Sequence, residues 1–259
     1  MRAPQTHPLA LLTEVGFASA VDRNSSRTCR WKKPSFVVSI LILGVSMNAC
    51  SMLGSTTTWK EEVLLHDGTR MIVTRSQTRS GAGEIGQGPP ITEHSVTFTP
   101  MGSNQSITWK SESTKVSHAA FDLLALDVVK GTPYIATSLN GCSLYELWGR
   151  PNPPYVFFKY LGQQWRQIPL QEFPAEIKQP NVLISIYGME EIRVAEKEAG
   201  FVPTVAIKRM NGGLRQQEYK SIHREPIVRT GKSASLVDCP IPTGPDGLPI
   251  SSGAKSEMK

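Results

Sequence analysis

Between residues 59 and 170 the chain keeps returning to one pattern: an apolar run, a turn containing glycine, and a second apolar run. "WKEEVLLHDGTRMIVTR" (59–75) turns at Asp67-Gly68. "SVTFTPMGSNQSITWK" (95–110) turns at Gly102, with Val96 and Phe98 answered by Ile107 and Trp109. "LLALDVVKGTPYIATSL" (123–139) turns at Lys130-Gly131, and "YVFFKYLGQQWRQIPL" (155–170) turns near Gly162. Glycine accepts the positive φ that tight hairpin loops demand, so each stretch reads as an antiparallel hairpin. A fifth stretch, "TVAIKRMNGGLRQQEYKSI" (204–222), reads the same way with Asn211-Gly212 as its turn. The glycines at 68, 102, 131 and 162 recur roughly every 30 residues, as hairpin-by-hairpin architectures require. The expected fold class is therefore all-β: antiparallel hairpins in a meander, propeller-like or sandwich arrangement, with one short helix. "MEEIRVAEKEAG" (189–200) supplies that helix, with Glu190 and Glu191 in the first turn, where the helix dipole favours anions. Ile192, Ala195 and Ala199 make a narrow apolar stripe, and Gly200 suits the position past the helix end. The helix is expected to cover one end of the sheet.

Ahead of the hairpins, residues 36–49 form a run of 14 without charge, preceded by Arg30, Trp31, Lys32 and Lys33. A bilayer span needs about 20 apolar residues, so this run is too short to cross. A basic flank, a short apolar centre and small residues ending at Ala49 are the parts of a secretory signal. The next residue is a cysteine, and Met47-Asn48-Ala49-Cys50 resembles the junction of a bacterial lipoprotein signal peptide. The resemblance implies cleavage before Cys50 and lipidation of that residue, palmitate included, with the chain anchored to the membrane through its acyl chains. Ser51 in the following position implies the outer membrane, facing the periplasm. The alternative is an ordinary signal in which Cys50 is incidental. Such signals begin close to their basic flank, so translation is expected to start nearer Val21 or Lys32 than Met1. The expected organisation is a leader extension (1–31), the signal peptide (32–49), a lipid-attached linker (50–57), an all-β domain (58–225) and a Pro/Gly/Ser-rich tail (226–259), extended and mobile beyond Cys239.

The formal net charge is +6, but residues 1–49 hold six cations against two anions and so carry most of it. No later stretch clusters Lys and Arg as a phosphate backbone demands, and a nucleic-acid partner is not expected. Four cysteines occur: Cys29 leaves with the leader and Cys50 takes lipid. The two that remain, Cys142 and Cys239, are expected to pair as a disulfide in an oxidising compartment; two unpaired thiols are the alternative. With no CxxC and no HExxH, neither a metal site nor a cofactor is expected.

Several short motifs dissolve on inspection. "GAGEIG" (81–86) has the letters of a dinucleotide loop, but a polar stretch precedes it and Gly88-Pro89-Pro90 follows, so it reads as an inter-strand loop. "TGKS" (230–233) lacks the upstream glycine of a phosphate loop, because position 226 is proline. Ser252 and Lys255 have nucleophile–base spacing but lie in the tail. Glu61 and Glu62 are neighbours on a strand and point to opposite faces. His66 beside Asp67 reads as part of a surface turn rather than a catalytic dyad. No catalytic residue is assigned.

"ELWGRPNPPYVFFKYLGQQW" (146–165) is different, because Val156, Phe158 and Tyr160 fall on one strand face while Tyr155, Phe157 and Lys159 fall on the other. Such a strand is either buried on both faces or presents one face to something. In the second case Trp148, Tyr155, Phe157 and Trp165, with Arg150 at the rim, would line a groove for a peptide, a glycan or an envelope protein. The functional expectation is a binding or structural module at the cell envelope. Its rival is a periplasmic hydrolase whose site is assembled from scattered residues. A nucleophile or paired carboxylates within reach of a base would favour the hydrolase.

Overall fold

In the computed structural model, the described residues are 55–81, 88–112, 121–184, 189–232, 234–241 and 243. All of them fall in the unit Ala49–Lys259. Cys29, Cys50, the leader, the signal run, His118, Ser252, Lys255 and most of "GAGEIG" lie outside them.

Eight strands form two four-stranded antiparallel sheets, each in chain order. Strands β1 (Ser55–Leu64), β2 (Arg70–Arg79), β3 (Ile91–Phe98) and β4 (Ile107–Glu112) make the first. Strands β5 (Phe121–Val129), β6 (Thr132–Leu139), β7 (Tyr155–Leu161) and β8 (Gln164–Ile168) make the second. The chain is mainly β, as its hairpin signals predict. The two shortest loops show why. Lys130 and Gly131 take φ of 50° and 75°, and Gly162 and Gln163 take 56° and 65°. Positive φ at both central residues is the type I′ geometry, whose twist matches that of the strands it joins.

The sheets share one core, in which Val63, Val73, Val96 and Trp109 of the first meet Leu123, Leu126 and Ile135 of the second. A bulge between Leu123 and Ala125 resets the alternation in β5. Leu123 and Leu126 therefore face the first sheet, while Leu124 and Ala125 face the opposite way. That second face is also covered, by Phe173, Ile177, Ile184 and Ile222 from the irregular chain that follows β8. The second sheet is buried on both sides.

Among the described residues there are three α-helices, against the one that the sequence predicts. The expected one, α2 (Met189–Ala199), buries Ile192 beside Trp59, Leu183 and Val202 at the edge of β1. A short α1 (Cys142–Leu147) follows β6. The third replaces the fifth hairpin: residues Thr204–Gly212 are α3, not a strand and its turn. Ala206, Ile207 and Met210 carry its apolar side, a helical spacing that overrides the Asn-Gly signal. Pro203 precedes it, and Asn211-Gly212 marks the helix end.

The open edge of β1 is closed by one residue of this insertion, since Glu62 donates to the Val202 carbonyl and Val202 to that of Lys60. The free edges of β1 and β5 are joined by Asn181. Its Nδ2 donates to the carbonyls of Leu64 (3.0 Å) and Leu126 (2.8 Å), and its Oδ1 accepts from the Leu126 N–H (3.0 Å). One amide thus stands in for a missing strand.

Beyond Glu225 the chain does not leave the fold: Ile227, Val237 and Cys239 are buried against Leu139, Leu144 and Val156. Asn152 pairs with both backbone groups of Ile227, and the Arg150 guanidinium donates to the carbonyls of Cys239 and Pro240. The expected tail boundary at 226 is thereby moved, and residues from 244 onward lie outside the described ones. Cys142 and Cys239 form a disulfide, with Cα atoms 5.6 Å apart and a sequence separation of 97. Among the described residues, no helix is long and apolar enough to cross a membrane.

Candidate functional site

The aromatic strand β7 takes the core alternative. Tyr155 is buried, its hydroxyl donating to the carbonyls of Glu218 and Ser221, and Phe157 packs on Phe173 with ring centroids 4.4 Å apart. Phe158 and Tyr160 pack into the core between the sheets. Trp148 meets Phe121 edge-on in the cluster around the disulfide. Arg150 lies over the Tyr145 ring, pairs with Glu146 at 2.7 Å and is spent on holding residues 239–240. Trp165 packs against Phe98 and Tyr160 and donates to the Thr108 carbonyl. The five residues expected to line a groove thus join three separate packing clusters. Tyr155 and Phe157 are brought together; Trp148, Arg150 and Trp165 serve elsewhere.

The concave site lies at the other end of the second sheet, in a cleft of about 350 Å³. Its walls come from the β1–β2 turn, the end of β5, the segment 176–181, α3 and residues 219–220. At its centre the His66 Nδ1–H donates to Asp127 Oδ1 at 2.7 Å, and the His66 backbone N–H donates to Oδ2 at 2.9 Å. The Asp127 side chain is 2% exposed and that of His66 21%. Asp127 sits on β5 as the one acid in "LLALDVVK", five residues after Asp122. Its position on the outer face of the sheet brings it under the β1–β2 turn.

The hydrogen bond that His66 donates to Asp127 raises the imidazole pKa above its ordinary value; burial opposes this, and the charges of Asp127, Asp67 and Glu176 add to it. Because the carboxylate accepts at Nδ1, that nitrogen carries the proton, and Nε2 is the nitrogen left to the cleft. It has no protein partner among the described residues.

Three lysines line the same cleft: Lys178, Lys208 on α3 and Lys220. Lys220 donates to the Gly212 carbonyl at 3.1 Å. Lys178 and Lys208 have no ion-pair partner among the described residues. The framework beneath is fixed by amides: Asn181 joins β1 to β5, and Asn211 of α3 donates to the Val182 carbonyl at 2.7 Å and accepts from the Ile184 N–H at 3.2 Å. The hydroxyls in the lining are both spent, that of Thr204 on Glu62 at 2.9 Å and that of Tyr219 on Asp122 at 3.2 Å. The cleft has an oriented imidazole and no free hydroxyl in its lining.

A second hollow, between α2 and α3, has an apolar floor with Val194 and Val205 exposed, and Glu190, Glu191 and Glu198 at its rim. No buried titratable side chain is aimed into it, and the His66 cleft is the stronger candidate.

Sequence reasoning placed His66 in a turn, where it is, and missed its partner 61 residues away. The available cue was Asp127 itself, an acid following the apolar run 123–126 within a strand, because such a group needs a partner to be buried. Compared with protein-family models, with curated proteins and with solved structures, the chain matches none.

Proposed function

We propose that this chain is an exported lipoprotein, anchored to the membrane through acyl chains on Cys50, whose folded domain binds a ligand at the cell envelope. The disulfide between Cys142 and Cys239 carries this reading, because such bonds persist in oxidising compartments and are rare in a reducing cytosol. Those are also the two cysteines that remain once Cys29 and Cys50 are accounted for by a leader and a lipid site. The signal-like run before Cys50 supports the same compartment from the other end of the chain.

Binding is favoured over hydrolysis by the cleft, where both lining hydroxyls already donate within the protein. One observation keeps the hydrolase as a second reading: a histidine oriented by a buried carboxylate at 2.7 Å is also the arrangement that activates water. The compartment is tested by mass spectrometry of the membrane fraction. An N-terminal peptide beginning at Cys50 and bearing a diacylglyceryl mass is expected, with no free thiol at Cys142 in denatured, unreduced protein. An unprocessed chain in the cytosol with Cys142 open to alkylation would overturn the proposal.

A further inference from the structure

The ligand of the cleft can be narrowed by the chemistry of its walls. We infer that the cleft formed by His66, Lys178, Lys208 and Lys220 is a binding site for a phosphate monoester group. This inference rests on the reading of the domain as a binding module.

The cations that line the cleft are lysines and, when protonated, the His66 imidazole; no arginine lines it. Arginine forks hold carboxylate or phosphate in a bidentate fashion, whereas ammonium groups act as point charges, and three of them from separate segments suit a phosphate that carries several anionic oxygens. The lysines come from three segments: 176–181, α3 and 219–220. None of the three ammonium groups has an ion-pair partner among the described residues, and only that of Lys220 is held by a backbone carbonyl. Asp127 accepts from the His66 ring and from the backbone N–H groups of His66 and Val128, and its charge is balanced when His66 is protonated, which leaves the three lysines facing Glu176 alone. Glu176 is the other carboxylate of the lining, and it is exposed at the rim. A charge surplus of this kind, facing a shared hollow, is satisfied by an anion from outside.

The cleft, at about 350 Å³, holds the volume of on the order of ten waters and is larger than a bare phosphate. Leu64, Leu65, Ile177 and Ile207 contribute apolar lining for a small organic remainder. His66 adds a proton-linked contact. With Nδ1–H held by Asp127, neutral His66 offers a lone pair at Nε2, and protonated His66 offers a donor. The groups that set its charge are Asp127, Asp67 and Glu176 on the anionic side, with the three lysines opposing them. Binding therefore weakens as pH rises through the His66 pKa, and on the acid side it falls again once the ester loses its second charge at pH about 6.

The test is titration of the purified full-length chain with glycerol phosphate, followed by calorimetry and by the ring-nitrogen NMR signals of His66. A parallel arm uses vesicles of phosphatidylcholine with and without phosphatidic acid, which present the same phosphate as a lipid headgroup. Expected are saturable binding, a rise in the His66 pKa on ligation, and about a tenfold loss of affinity in Lys178→Gln/Lys208→Gln. His66→Gln should bind more weakly near pH 6 and lose the fall in affinity above it, keeping only the limb set by the phosphate's own pKa of about 6, while its melting curve still shows a folded chain. Binding confined to phosphatidic acid vesicles, and lost in the same variants, would keep the phosphate site and make its source a lipid. Absence of binding in both arms, or binding that the lysine and histidine variants leave intact, would overturn the inference. Release of inorganic phosphate from the ester would keep the site and overturn the binding half of the proposed function. Binding together with an absence of acyl mass on the chain from the native membrane fraction would sink the anchor and leave the site standing.

Discussion

At the residue scale, the first sheet carries an unusual inner face. Arg75 and Glu61 are almost wholly buried, 2.8 Å apart, and Glu61 also accepts from Trp59 Nε1 at 3.1 Å. Removing one charge of such a pair strands the other, at a cost of about 3–5 kcal/mol. Arg75→Met should therefore be severely destabilised in urea titrations, while Glu61→Gln/Arg75→Met should recover much of the loss. If the double variant is as unstable as the single, the pair is not what holds this region. His94, two strands away from β1, is buried with Nδ1 unpartnered among the described residues. Burial, then the charges of Arg75 and Arg79, push its pKa down to about 4, against about 6.5 in an unfolded chain. A depressed histidine contributes stability that is complete above the unfolded value and drains away as pH falls towards the folded one, here by up to about 3 kcal/mol. Asp122 works in the opposite sense, because burial, opposed by the Tyr219 hydrogen bond, raises it to about 6. Its contribution is complete below the ordinary carboxylate range and is lost as pH rises through 6. The two windows overlap, so the native profile between pH 4 and 6 should be shallow. Asp122→Asn should show a steep loss of stability on acidification, and His94→Gln a gain; parallel slopes for both variants would refute the assignment.

At the scale of elements, one side chain decides whether the two sheets meet. Asn181 satisfies the Leu64 carbonyl of β1 and both backbone groups of Leu126 on β5. Asn181→Ala leaves three strand-edge groups without partners, and each such group costs about 1–3 kcal/mol when it stays dry. Water can reach this edge at the cleft, so the expected loss is about 2–4 kcal/mol, with faster amide exchange at Leu126 as its local signature. Protection at Leu126 unchanged in the variant would count against the role. Elements of this kind also explain what the sequence reveals and what it conceals. Hairpins closed by Lys130-Gly131 and Gly162-Gln163 are legible because alternation and turn chemistry agree within a few residues. The helix at Thr204–Gly212 was read as a strand because Asn211-Gly212 speaks for a turn, whereas the spacing of Ala206, Ile207 and Met210 speaks for a helix. The cleft is illegible for a different reason. Lys178, Lys208 and Lys220 lie far apart in sequence, and the path between them is set by single bonds such as Ile222 N–H to the Lys178 carbonyl rather than by any period.

At the scale of the whole domain, two sheets are flanked by the described parts of the chain between Leu170 and Cys239, in which irregular segments wrap the second sheet, α2 and α3 pack at the edge of β1, and the disulfide closes the far end. Irregular chain buries apolar side chains but gains few ladder hydrogen bonds, so it depends on closure at its far end. The wrap is fastened by Arg150 and Asn152 as well as by the Cys142–Cys239 bond. Closing a loop with a separation of 97 residues stabilises a fold by about 2–5 kcal/mol in the chain-entropy account. For a domain of this size that corresponds to a drop of roughly 5–15 °C in Tm on reduction. Cys142→Ser/Cys239→Ser should show the same drop without a reductant, and reductant should not lower it further. The loss should also be local: Ile227 and Val237 should exchange faster, while the inner core of the first sheet, around Val63 and Val96, keeps its protection. A uniform loss across both sheets would mean that the wrap and the sheets unfold as one unit. A reduced protein with an unchanged Tm would mean that the polar fasteners at Arg150 and Asn152 suffice alone, and the chain would then be as stable in a reducing compartment as in an oxidising one.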